Sequence, residues 1–433
     1  VSRALEVVDG GDHEAVDAGL RRVLANEGAA MLSRDRGVLE GATEVHGADA
    51  VPLPREVPKR VALVVETSGS SGMPKRVMLS ADALLASAAA TESALGGPGQ
   101  WLLALPTHYI AGIQVLVRSI AAGTTPIRQP PGHFDAALFA ALSRELEAPR
   151  RYTSLVPAQL ARLVDAAQHD SAVRAAVTRF DAVLVGGQAL PPALHERALE
   201  LGVAVVRTYG SSETAGGCVY DDVPIGQTIV RESWGELEIA GPSVAEGYLG
   251  DDVLTAEKFH VADGERWYRT SDGGTVVDGR VTVTGRLDNV FISGGVKVSL
   301  DRVERLVQSM PGLEGAVVVA ADDERWGQVA VVVVEGAAGS AGGAGGAGQL
   351  ARVRDVVIAG AGRAAAPRSV VRVDALPRLS SGKPDRPAIA DAVARGAEHP
   401  ARGAESPARG AESPARGAES PGRGAESPGR GAE

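Results

Sequence analysis

Through the first 286 residues, short apolar runs alternate with segments whose apolar positions recur every three or four residues. Val61–Val65, Trp101–Leu105, Tyr152–Val156, Ala182–Val185 and Val203–Arg207 read as strands. Ala81–Thr91, Ala111–Ala121, Phe134–Glu147, Pro157–Gln168 and Pro191–Leu201 read as helices. Alternation at this spacing predicts α/β layers with mostly parallel strands. From about Trp234 to Val283 the pattern becomes strand-rich and turn-rich, which predicts a small antiparallel β unit on the α/β body. A smaller α+β unit follows: helix Leu300–Ser309, strands Ala316–Ala320 and Val329–Val334, helix Leu350–Ala361 and strand Ser369–Val373. The boundaries are therefore set at 1–287 and 288–393. Gly336–Gly348, almost wholly Gly and Ala, reads as a flexible loop. From Ala394 a unit of about seven residues repeats to the end, each copy with Gly or Pro and no large apolar residue. Such a repeat cannot bury a coiled-coil seam, so residues 394–433 are expected to be disordered.

Composition narrows the class. At 433 residues, 44% hydrophobic and 23% charged, the chain fits a globular protein of two or three domains. Its apolar runs, such as Val329–Val334, have strand length, so membrane insertion is not expected. Asp9, Asp12 and Glu14 interrupt any signal-peptide pattern near the start, and Cys218 is the sole cysteine. A cytoplasmic protein is the economical expectation. A net charge of −10 with no basic stripe argues against nucleic acid as a partner. The chain prefers arginine and holds only five lysines: Lys59, Lys75, Lys258, Lys297 and Lys383. Where lysine is placed in a Gly-rich loop, a compact ammonium is the implied need.

The strongest chemical signal is Thr67-Ser68-Gly69-Ser70-Ser71-Gly72-Met73-Pro74-Lys75, following an apolar run. Backbone amides freed by glycine, hydroxyls and a terminal lysine suit an anion such as a nucleotide phosphate. The spacing is not that of a Walker A loop. A plain surface turn is the alternative reading. Further segments follow in order: Val183-Leu-Val-Gly186-Gly187, Tyr209-Gly210-Ser211-Ser212-Glu213-Thr214, Trp267-Tyr-Arg-Thr-Ser-Asp272, Gly285-Arg286-Leu-Asp288, Ser293-Gly294-Gly295-Val-Lys297 and Leu376-Pro-Arg-Leu-Ser-Ser-Gly-Lys383. Singly, each could be a turn, a cap or an exposed lysine.

As an ordered set, these motifs resemble the adenylate-forming family of acyl-CoA synthetases, nonribosomal-peptide adenylation domains and firefly luciferase. The resemblance covers roughly residues 60–390. It implies a large N-terminal domain and a small, mobile C-terminal one turning about a hinge at Asp288. It also implies an acid–thiol ligase of AMP-forming type. A carboxylic acid attacks the ATP α-phosphate, pyrophosphate leaves, and coenzyme A takes the acyl group. Lys383 would serve the reacting carboxylate and α-phosphate, Glu213 would hold Mg²⁺, and the Thr67–Lys75 loop would grip the β- and γ-phosphates. Asp272 and Arg286 would bind the ribose. Gly186, Gly187, Tyr209, Gly210, Ser211 and Ser212 would surround the rest of the AMP, and Ser293, Gly294 and Gly295 would line the coenzyme A channel.

The short N-terminal region makes the chain look most like the o-succinylbenzoate–CoA ligases of menaquinone synthesis. In Leu105-Pro-Thr-His108-Tyr109-Ile-Ala-Gly112, His108 stands one place early relative to the family's Pro-x-x-His-x-x-Gly gate, with Tyr109 at the usual position. His108, Tyr109 and Gly210 are candidate acid-site residues. Arg118, inside an apolar helix, is the candidate cation for a second carboxylate, with Arg207 competing and an arginine snorkelling to solvent as the alternative. Cys218 is expected to line the acyl pocket as a small hydrophobe. Another small or aromatic acid–CoA ligase is the rival reading, a noncatalytic scaffold using the tail the remote one, and homodimerisation is left open.

Overall fold

The computed structural model describes residues 1–40, 52–67, 74–336, 344–379 and 383–398. Two large sheets form the body. The first is mixed, in the order Gly247–Tyr248, Lys75–Ser80, Val61–Thr67, Ala30–Arg34, Ser2–Asp9, Glu56–Pro58. The second runs Val223–Pro224, Gly216–Tyr220, Val205–Ser211, Ala182–Val185, Arg151–Leu155, Gln100–Leu103, Ile127–Arg128. Its strands from Val205–Ser211 to Ile127–Arg128 are parallel, as the alternating pattern predicts. The first sheet departs from that expectation, because Val61–Thr67 and Lys75–Ser80 form an antiparallel hairpin pairing Thr67 with Lys75. The strand Lys75–Ser80, which the apolar pattern does not predict, thus stands between the loop and the helix Ala81–Ala94.

Period-two alternation sorts the second sheet's side chains onto two faces. Trp101, Leu103, Ala182 and Leu184 face one core, with Leu20, Leu63, Leu84 and the helix Ile110–Ala121. Leu102, Leu155, Val183 and Val185 face the other, under Phe139, Leu160, Leu163 and Leu194. Gly112–Ser119 is an unbroken buried run. A helix apolar on nearly every side is the kind that lies inside a protein, here between the sheets.

The β unit follows the expectation, with Glu236–Ala240, Phe259–Ala262 and Arg280–Arg286 pairing antiparallel to Glu265–Val277 or its neighbours. In the C-terminal unit Gly327–Glu335 sits between Val317–Asp323 and Ser369–Val373. Its valine run is continuous because both faces are covered. Val332 and Val334 meet Val303, Val307 and Val357, while Val331 and Val333 meet Leu376 and Ile389.

Three boundaries are corrected. Ser2–Asp9, the helix His13–Leu24 and Ala30–Arg34 went unread, although Asp12 caps that helix and Val16, Leu20 and Val23 mark its buried side. The Gly/Ala segment gives residues 344–348 to the helix Ala344–Ala361, since adding a turn to an existing helix costs far less than nucleating one. The last helix, Arg386–Glu398, passes the expected start of the tail at 394. Among the described residues no helix is long and apolar enough to cross a membrane.

Candidate active site

Parallel strands present ligand-binding loops at their carboxyl ends. Here those ends carry Leu105–Tyr109 after Gln100–Leu103, Gly186-Gly187 after Ala182–Val185, and Tyr209–Ser211 closing its own strand. Gly112 turns the first of these segments into its helix. A β-carbon there would strike the Pro106 carbonyl, which explains the glycine that closes this motif. His108 packs against Tyr109 with the rings tilted by 53° and their centroids 4.3 Å apart, and it lies 3.9 Å from Asp35. Burial lowers its pKa, and Asp35 opposes that shift.

The Tyr209–Thr214 motif is a sharp reversal from Val205–Ser211 into Gly216–Tyr220. Thr214, fully buried, accepts from the Ser211 amide at 2.9 Å and donates to the Gly216 carbonyl at 2.7 Å. Gly210 packs directly on Gly216. The turn leaves Ser212 and Glu213 buried beside the strand end. Glu213 accepts a 2.8 Å hydrogen bond from Tyr248, whose ring lies 5.9 Å from the Lys75 ammonium. Lys75, Tyr248 and Glu213 thus form a row at the mouth of the Thr67–Lys75 hairpin. The intervening Ser68, Gly69, Ser70, Ser71 and Gly72 lie outside the described residues.

Tyr209 donates to Asp272 at 2.7 Å, joining the second sheet to the β unit. Burial raises the Asp272 pKa, with Tyr209 and Arg286 acting against it. The Tyr209 hydroxyl is pushed up by burial and by the Asp272 carboxylate. Arg286 stands 3.7 Å from Asp272, but its guanidinium forks onto Asp288 at 2.8 and 2.6 Å. The expected ribose partner is therefore engaged mainly with the expected hinge residue. That hydrogen bonding holds Asp288 below the usual carboxylate range.

Lys383 reaches the same cluster from the C-terminal unit. A β-carbon placed on Gly187 would lie 3.3 Å from its Cε and 3.8 Å from its Nζ. Burial lowers its pKa. Lys383, Gly187, Tyr209, Asp272, Glu213 and Lys75 thus belong to one connected neighbourhood.

Other expectations meet a different arrangement. Arg118 lies eight residues along its helix from Ile110, about 12 Å at 1.5 Å per residue, towards the opposite end of the sheet. Its guanidinium stacks over Trp101 at 5.0 Å, near Tyr152, Gly97 and Gly99, and its Nε has no hydrogen-bond partner among the described residues. Arg118 is thus remote from the strand-end cluster. Arg207 pairs with Asp222 at 2.9 Å and Asp221 at 3.3 Å, so it is already satisfied on the surface. Cys218 is buried beside Ser87 and Ile225, its thiol pushed up to about 12 by burial. Ser293, Gly294 and Gly295 form the hairpin between Val290–Ser293 and Val296–Ser299, where both glycines have positive φ. The Gly294 amide donates to Trp326, within the C-terminal unit, so this turn is not drawn into the Lys383 cluster.

Sequence reasoning missed Tyr248. It sits on a two-residue strand, Gly247–Tyr248, and no motif spacing links it to Glu213.

Comparison with known proteins shows the family and the fold. The family model described as AMP-binding enzyme matches residues 11–233, and AMP-binding enzyme C-terminal domain matches residues 302–383. A probable 2-succinylbenzoate–CoA ligase of Mycobacterium tuberculosis is 38% identical over 92% of this chain and 100% of its own length. An indoleacetate–CoA ligase of Aromatoleum aromaticum is 30% identical over 80% of this chain and 70% of its own. Among solved structures, the Bacillus subtilis o-succinylbenzoate coenzyme A synthetase in complex with AMP aligns with a TM-score of 0.61, at 24% identity. That alignment covers 82% of this chain and 74% of that one, and it speaks to the fold alone.

Proposed function

This chain belongs to the AMP-binding enzyme family, and on that premise we propose that it joins o-succinylbenzoate to coenzyme A at the expense of ATP. The observation carrying the chemistry is the approach of Lys383 to Gly187, which brings a cation from the C-terminal unit onto the strand-end cluster. The choice of acid follows the 38% identity, over the relative's whole length, to a probable 2-succinylbenzoate–CoA ligase.

In the adenylation step the acid's carboxylate attacks the α-phosphorus, the bond to pyrophosphate breaks, and an acyl-adenylate forms. Charge builds on the phosphate oxygens, so preplaced cations supply most of the rate gain. Lys383 takes the α-phosphate and the attacking carboxylate; Lys75 and its loop take the departing pyrophosphate. Asp272, held by Tyr209, accepts from the ribose hydroxyls, while Gly187 and Tyr209 flank the base. Glu213 suits Mg²⁺. One of its oxygens is committed to Tyr248, and no cluster of three or more ligating side chains is present among the described residues. That donor set fits an ion completed by phosphates and water. When bound, Mg²⁺ would neutralise charge on the phosphate oxygens.

Thioester formation then requires the 288–393 domain to turn about Asp288. Lys383 withdraws, and the Ser293–Gly295 turn lines a path for the coenzyme A thiol. The attacking thiolate displaces AMP from the acyl carbon. His108 and Tyr109 border the acid. The reaction belongs in the cytoplasm, where ATP and coenzyme A are available.

Similarity to an indoleacetate–CoA ligase favours a second reading, an arylacetic acid as substrate. ATP–pyrophosphate exchange across a panel of acids separates them: exchange driven by o-succinylbenzoate supports the first, and equal exchange with benzoate overturns it.

A further inference from the structure

We propose that Lys258 is a positioning residue for the nucleotide site, acting through Ser271 on Asp272. The inference rests on the adenylation reading and extends it to a residue outside its motifs. Ser271 has a φ of +61°, a left-handed conformation that a side-chain-bearing residue holds only with support. Here the support comes from three directions. The Ser271 amide donates to Glu236 at 2.6 Å, its carbonyl accepts from the Leu287 amide at 2.8 Å, and its hydroxyl accepts from the Lys258 ammonium at 2.7 Å. Asp272 is the next residue, its own amide donating to the Thr270 hydroxyl at 2.9 Å. The backbone that aims the Asp272 carboxylate at Tyr209 is thus fixed at Ser271, and the same knot ties in Leu287, one residue before Asp288.

Lys258 is suited to this post. It closes the short helix Asp252–Lys258, and its side chain is only 17% exposed. The helix is itself anchored to the site, since the Tyr248 amide donates to Thr255 at 2.9 Å and Tyr248 binds Glu213. The compact Lys258 ammonium reaches the Ser271 hydroxyl while pairing with the neighbouring Glu257 at 3.2 Å, whereas a planar guanidinium would need more room. In a chain with five lysines, this one serves backbone geometry and not a phosphate.

The test measures ATP affinity by calorimetry, without acid, in wild type, Lys258→Met, Ser271→Gly and the double variant. Losing a charged hydrogen bond predicts affinity about tenfold weaker for Lys258→Met. Ser271→Gly should stay near wild type, because glycine adopts positive φ freely. The double variant should recover to within about threefold of wild type, a rescue that a merely structural lysine would not show. Lys258→Ala, which also removes the donor, gives the same comparison with Ser271→Gly if the methionine variant does not fold. Wild-type affinity in the Lys258 variants, or no recovery in the double variant, overturns the inference alone. A wild-type protein that binds no ATP overturns the adenylation reading and the inference with it.

Discussion

Lys383 and Gly187, far apart in sequence, come so close that any side chain on the glycine would press on the lysine. A β-carbon there falls 3.3 Å from Cε, and the Gly187 φ of +79° adds strain for any other residue. Left-handed backbone costs about 1–2 kcal/mol for an L-residue, and displacement of the Lys383 ammonium adds to it. Gly187→Ala is therefore expected to slow adenylation at least tenfold. Thioester formation from a supplied acyl-adenylate should change much less, because Lys383 has withdrawn by then. Separate single-turnover measurements of the two half-reactions check this.

Tyr209→Phe removes the 2.7 Å donor to Asp272 and leaves that half-buried carboxylate less well satisfied. A hydrogen bond to a charged group is worth about 1.5–3 kcal/mol, so KM for ATP should rise about tenfold or more. The acid's KM should stay nearly unchanged. Steady-state kinetics with each substrate varied in turn distinguishes this from general damage.

Burial lowers the Lys383 pKa because it penalises the ammonium. Adenylation needs that ammonium, so kcat/KM for ATP falls as pH rises through the lowered pKa, earlier than for an exposed lysine. Folding has the opposite sign. The buried charge costs stability below the folded pKa, and the cost fades as pH rises through it. Pyrophosphate exchange against pH should show the alkaline fall in wild type, and Lys383→Arg should show a slower rate without it.

How much of this was legible beforehand depended on whether chemistry followed local spacing. Gly187 and Tyr209 sit in short motifs at strand ends, Asp272 lies beside a register shift inside Glu265–Val277, and Lys383 precedes the last helix; it is the order of their motifs along the chain that points to one candidate site. Arg118 misled because periodicity shows that a position is buried but not which end of the helix meets the ligand. Two turns separate it from the strand-end loops. Tyr248 and Lys258 act through tertiary contacts, with Glu213 and Ser271, that no local spacing marks. The hairpin partner Lys75–Ser80 was hidden because its alternation is brief and ends directly in the cap of Ala81–Ala94, where Ser80 receives the Ala83 amide.

Arg118→Met is expected to leave the acid's KM within about twofold, since its guanidinium lies over Trp101 and not at the strand ends. Stability should change little or improve, because an apolar side chain of similar length replaces a buried charge that has no ion pair among the described residues. Kinetics with o-succinylbenzoate and a thermal melt check both halves.

The central claim is tested most directly by incubating the protein with ATP, Mg²⁺, coenzyme A and either o-succinylbenzoate, indoleacetate or benzoate, and measuring each acyl-CoA by mass. The account predicts o-succinylbenzoyl-CoA with kcat/KM about tenfold or more above the other acids, the margin that pocket shape supplies. Turnover of indoleacetate or benzoate with no o-succinylbenzoyl-CoA would contradict it.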